Sequence, residues 1–231
     1  MIVVIGLPAY TDEDGEHCAG GLAVEIAADA CRRGSKVELA GKVGSDGPGD
    51  SVVVTLGQMG VGHAALLRDP TLPTPLLVGA TPDDTVAATV PPAGDHPAAE
   101  SLEADLQDLR LLPGDPSARP GLEAGDIQMA LRYLTGPNVV VVAESLAASS
   151  LAAAVDGAAF SGAKLIVLAD ADSGALANVP DSATVLERPA ADDGSFARLV
   201  GAFAASLDAG NDPARAFREG VAASGWEPAA D

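Results

Sequence analysis

Apolar residues recur along this chain in two rhythms. Residues 2–6, 138–143 and 164–169 are short continuous apolar runs (IVVIG, NVVVVA and KLIVLA), the pattern of strands buried on both faces. Helical spacing appears over residues 22–33, where Leu22, Ile26 and Cys31 share a face, and again over residues 50–59, 124–133 and 146–160. Val37 and Leu39 alternate with polar neighbours over residues 36–40, as in a short strand, and residues 64–67 and 76–78 extend again. Gly34, Gly60 and Ser161-Gly162 supply helix stops. Short apolar strands alternating with helices predict an α/β fold, a doubly wound and mostly parallel sheet with helices on both faces.

Three stretches interrupt this rhythm. Residues 7–19 are polar and acidic, with Asp12, Glu13, Asp14 and Glu16; about a dozen residues predict a loop. Gly41, Gly44, Gly47 and Gly49 frame a second loop, carrying Lys42, Asp46 and Asp50, which opens a helix whose N-terminal amides suit polar ligands. Residues 81–121 hold seven of the seventeen prolines and read as a surface excursion from a single domain spanning 1–231. Within it, residues 98–112 place Leu102, Leu106 and Leu109 on one face of an amphipathic helix, suited to docking on its own domain. Glu144, Asp170 and Asp172 follow strands at the carboxyl rim where such sheets hold ligands; we read them as loop and cap residues.

Composition narrows the class. The 231 residues can bury a sizeable core, and 48% hydrophobic with only 3% aromatic residues makes that core Ala, Val and Leu. A net charge of −20 repels nucleic acid and anionic membranes. Cys18 and Cys31 have neither metal spacing nor a disulfide framework, which suits a reducing cytosol. His17 beside Cys18 lacks a second ligand pair, so no metal site is expected. Met1 leads into a strand without a basic leader, and no apolar run approaches the roughly 20 residues of a membrane span. The expectation is a soluble cytoplasmic protein. No G-x-x-x-x-G-K-[ST], no G-x-G-x-x-G after a strand and no G-x-S-x-G turn is present.

Motifs add a family. Gly20-Gly21, then R-x-G ending at Gly34, then GKVG-x-D-x-x-G-D from Gly41 to Asp50, resemble the N-terminal signature of the ribokinase-like (PfkB) carbohydrate kinases. The register continues through Gly60-Val61 to PTPLLV at residues 73–78. The resemblance implies a sugar kinase that uses ATP and Mg²⁺, with a lid over the sugar. It assigns substrate binding to Gly20, Gly21, Glu25, Lys42 and Asp46. Glu25 stands where the family has a substrate-binding Asn, which predicts a more acidic pocket that disfavours anions.

The C-terminal signature, D-T-x-G-A-G-D-x-F-x-G-A in the family, matches at Gly201-Ala202-Phe203. In this register its first glycine is Gly194, its second is Phe196, and its catalytic Asp is Ala197. Gly194 and Ser195 then remain of the anion hole. Alanine accepts no proton, and loss of a positioned base costs about 10²–10⁴ in rate. Asp192 and Asp193 lie just upstream as a displaced base, Asp193 also suiting the cap of the helix that starts near Ser195. About a dozen residues separate Asp170 from Thr184, fewer than the roughly 30 of a βαβ unit, so part of the nucleotide half is reduced; Asn178-Val179-Pro180-Asp181 reads as a turn.

The preferred reading is a degenerate family member that binds a small polar molecule, a sugar or a partner chain and transfers no phosphate. An active kinase using Asp192 or Asp193 is the first alternative. The second is a structural protein that self-associates through a sheet edge left by the absent lid. A homo-oligomer is expected.

Overall fold

All four residues of strand β1 (Ile2–Ile5) are fully buried, because the strand lies inside a sheet covered on both faces. In the computed structural model, which describes residues 1–13, 16–77, 119–170, 179–189 and 194–225, β1 pairs in parallel with β4 (Val37–Gly44) and β6 (Val139–Val142). The flanks are completed by β5 (Gly62–Asp69), β7 (Lys164–Ala169) and β8 (Thr184–Glu187), in the order β5-β4-β1-β6-β7-β8, every pairing parallel. Apolar alternation within β1 feeds two cores. Ile2 and Val4 join Val24, Ile26, Leu39, Val52, Phe196 and Phe203 beneath α1 (Leu22–Arg32), α2 (Gly47–Gln58) and α5 (Ser195–Asp208). Val3 and Ile5 join Ile127, Ala130, Leu151 and Ala154 beneath α3 (Ala124–Tyr133) and α4 (Ala148–Ser161). The last helix, α6 (Pro213–Ser224), packs on α5, with Phe217 edge-on to Phe203 at 5.9 Å between ring centroids. This is the doubly wound arrangement expected.

Two local expectations are corrected. Residues 7–19 are not a loop: β2 (Ala9–Glu13) and β3 (Glu16–Gly20) form an antiparallel hairpin, and residues 75–77 lie beside it, Tyr10 N donating to Pro75 O and Leu77 N to Tyr10 O, each at 2.8 Å. A short two-stranded sheet therefore stands where the resemblance expects a lid. The residues are few but fully extended, and the adjoining segment supplies the pairing that a lone hairpin lacks. The second correction is Gly41–Gly44, which continue β4 rather than forming a loop. Glycine is needed there for close approach, since a Cβ on Gly41 would lie 2.5 Å from Gly6 O and 3.0 Å from Pro8 Cδ. The excursion at residues 81–118, the helix expected at 98–112, and Asp172, Asn178, Asp192 and Asp193 lie outside the described residues.

Candidate functional site

The hairpin, the N-terminus of α1, the end of β8 and the N-terminus of α5 enclose a cavity of about 860 Å³. Its chemistry is set by how two helices begin. The N-cap of α1 is Gly21 (φ 97°) and that of α5 is Gly194 (φ 83°), neither of which brings a capping side chain of its own. Positive φ favours glycine at both positions, and each helix start carries amide hydrogens that its own turns cannot satisfy. The helix dipole adds partial positive charge at the same ends. Phe196 and Ala197, 2% and 1% exposed, line the cavity from the first turn of α5.

Four charged side chains line the cavity among the described residues: Glu25, Arg32, Arg188 and Arg198. Arg188 donates from Nη2 to Ala143 O at 3.0 Å, while its buried Nε has no hydrogen-bond partner among the described residues and lies 3.5 Å from Asp170 Oδ1. Arg198 Nε donates to Ser224 O at 3.3 Å, at the C-terminal end of α6. Arg198 Nη1 lies 3.4 Å, and Glu25 Oε2 3.8 Å, from the point where a Cβ on Gly194 would stand. Arg32 reaches Asp29 at 3.3 Å. Among the described lining residues, Arg188 and Arg198 accompany Glu25 near the start of α1, which suits an anion. Glu25 is thus the one carboxylate among the described lining residues, and Asp192 and Asp193 lie outside them. Arg32, Arg188 and Arg198 come from three separated segments, so no local spacing announces them.

The sequence-predicted residues divide. Gly20, Gly21, Glu25 and Gly194 converge on the cavity, and Ser195 is the first residue of α5. Lys42 and Asp46 do not line it. Lys42 pairs with Asp126 at 2.6 Å on the α3 side of the sheet. Asp46 caps α2, accepting from Gly49 N at 2.8 Å, and also holds Thr74. Gly194, not an aspartate, occupies the N-cap of α5. His17 stacks edge-on against Tyr10 at 4.9 Å, and no cluster of three metal-ligating side chains exists among the described residues. Among the described lining residues, one carboxylate with three arginines is a poor donor set for Mg²⁺, which takes oxygen ligands. Beside the cavity, at the end of β6, burial pushes the Glu144 carboxyl above its ordinary value, against a hydrogen bond from Leu7 and the charges of Arg119 and Arg188. Ser145 Oγ donates to Asp170 Oδ2 nearby.

No family model matches the chain, and no curated protein matches it by sequence. Solved structures do. The chain superposes on Arabidopsis thaliana ribokinase complexed with ribose and ATP with a TM-score of 0.59, at 13% identity over 96% of this chain and 90% of that one. Fructokinase from Vibrio cholerae O395, bound to fructose, ADP and calcium, gives 0.60 at 15% identity, covering 96% and 90%. The PfkB protein from Polaromonas sp. JS666 gives 0.59 at 14%, covering 96% and 94%. At such identities the likeness establishes the fold: this chain has the ribokinase-like α/β fold. No helix among the described residues is long and apolar enough to cross a membrane.

Proposed function

We propose that this chain is a ribokinase-like binding protein that holds a small, anionic, hydroxyl-bearing molecule in the cavity beneath the hairpin, without transferring phosphate by the family's route. The observation that carries this reading is Ala197. It occupies the first turn of α5 on the cavity wall, where the resemblance requires an aspartate. No other described residue of that helix start can take a proton from a substrate hydroxyl. Glu25, the one carboxylate of the described lining, lies close to Gly194, where it can accept a hydrogen bond from a ligand hydroxyl. Arg188 and Arg198 around it supply the recognition of the anionic group. A phosphorylated or carboxylated sugar has both features.

The test is calorimetric titration of the full chain with Mg-ATP, a neutral hexose and a hexose 6-phosphate, alongside a coupled assay for ADP. Binding of the phosphorylated sugar with no ADP formed is the expected result. ADP formation that disappears in Asp192→Ala or Asp193→Ala would overturn it in favour of an active kinase with a displaced base.

A further inference from the structure

The second large concavity lies on the opposite side of the sheet, between α3 and α4. It has a volume of about 610 Å³, and Leu131, Ala153 and Gly157 contribute to its apolar lining, with Arg132 and Asp156 at its margin. Three large apolar side chains stand exposed on the same two helices: Met129 at 59%, Tyr133 at 70% and Phe160 at 96%. Phe160 also borders the groove. A projecting ring beside an apolar hollow is a knob and a hole on one face.

We propose that this face is the interface of a homodimer, in which each copy seats its Phe160 in the α3–α4 groove of the other. Twofold symmetry requires a self-complementary patch, and the charges here are complementary in that sense. Arg132 and Asp156 are both exposed, and neither has an ion-pair partner among the described residues. A dyad between the copies sets Arg132 of one against Asp156 of the other. Charge also selects a second copy over other faces of the molecule. The chain carries −20 overall, so most of its surface repels its own kind. Helices α3 and α4 instead hold only Asp126, Arg132 and Asp156 as charged residues, with Asp126 tied to Lys42. Buried aromatics contribute about 150–250 Å² each. Phe160 and Tyr133 from both copies thus supply a large part of the roughly 1,600 Å² of a standard interface.

Sedimentation equilibrium of the full chain over low to high micromolar concentrations reads the association directly. The expected result is a dimer whose dissociation constant rises roughly tenfold or more in Phe160→Asp. Arg132→Asp weakens it as well, and Arg132→Asp combined with Asp156→Arg restores it. Phe160 is solvent-facing in the monomer, so unchanged circular dichroism and melting temperature separate loss of association from misfolding. A monomer throughout the range overturns the proposal, whether the groove is open or covered by residues 78–118 of its own chain. A dimer indifferent to Phe160→Asp overturns it too, by placing the contact elsewhere.

Discussion

Thr74 Oγ1 donates to Asp46 Oδ1 at 2.6 Å, and the Thr74 backbone amide donates to Asp46 Oδ2 at 2.8 Å. The same carboxylate accepts the Gly49 amide at the start of α2, so one side chain caps a helix and pins the segment after β5 beside the hairpin. Gly44 N in turn donates to Thr74 Oγ1 at 3.0 Å. Asp46→Ala removes a cap and strands the buried Thr74 hydroxyl, a loss of about 1–3 kcal/mol. Urea denaturation should register that loss while affinity at the cavity stays unchanged. A fall in ligand affinity larger than the fall in stability would return Asp46 to the binding residues.

The Asp46 carboxyl also predicts an acid dependence. Burial alone would raise its pKa, but hydrogen bonds from Thr74 and Gly49 outweigh burial and hold it below the ordinary value. A folded value below the unfolded one contributes stability above the unfolded value, and the contribution is lost as pH falls through the folded value. The wild-type protein should therefore lose more stability on acidification than Asp46→Ala does, measured as urea midpoints against pH.

Glu144 carries the opposite sign. Its pKa is raised by burial, so the folded protein keeps the proton to higher pH than the unfolded chain. Stability then declines as pH rises from the unfolded value through the folded one. Glu144→Gln should remove that decline, its urea midpoint overtaking that of the wild type toward neutral pH. Curves that stay parallel would locate the titration in another group.

Gly201 is where α1 and α5 meet. A Cβ at this position would lie 2.8 Å from Asp29 Cβ and 3.0 Å from Ile26 O, in a wall of the α1 backbone. Gly201→Val should cost about 1–3 kcal/mol through overpacking. Because the N-termini of both helices line the cavity, the variant should also bind more weakly; calorimetry at a temperature where it remains folded checks the second effect.

Arg188 and Arg198 should each matter to an anionic probe. A hydrogen bond to a charged group is worth about 1.5–3 kcal/mol, so Arg198→Ala or Arg188→Ala should weaken binding of a hexose 6-phosphate roughly 10- to 100-fold. Arg215→Ala is the control, since Arg215 pairs with Glu219 on exposed α6 at 2.7 Å. Equal losses in all three would mean a diffuse field rather than a site.

The sheet was legible where burial is total. The runs at residues 138–143 and 164–169 became β6 and β7, and the helix read over 124–133 became α3 with the same bounds, because a strand covered on both faces leaves no room for polar residues. Glycine misled at Gly41 and Gly44, where it signals backbone approach to Gly6 and Thr74 rather than a turn. The hairpin was hidden because its strands carry Asp12, Glu13 and Glu16, and their pairing depends on residues 75–77, far along the chain. Of the cavity, Gly20, Gly21, Glu25 and Gly194 came from motif spacing. Arg188 and Arg198 did not, since their meeting is a product of the fold: one ends beside β8 and the other lies on α5.

The central place of β1 has a consequence for synthesis. Its neighbour β4 follows soon, but its other neighbour pairs Ile2 with Val139, and α3 and α4, which cover Val3 and Ile5, arrive with that later half. At about 5–20 residues per second on the ribosome, the interval between the two partners is on the order of 5–20 s. Throughout it, one hydrogen-bonding edge of an entirely apolar strand is open to any other emerging chain. The period of greatest exposure to aggregation thus falls during translation, and slowing the ribosome lengthens it.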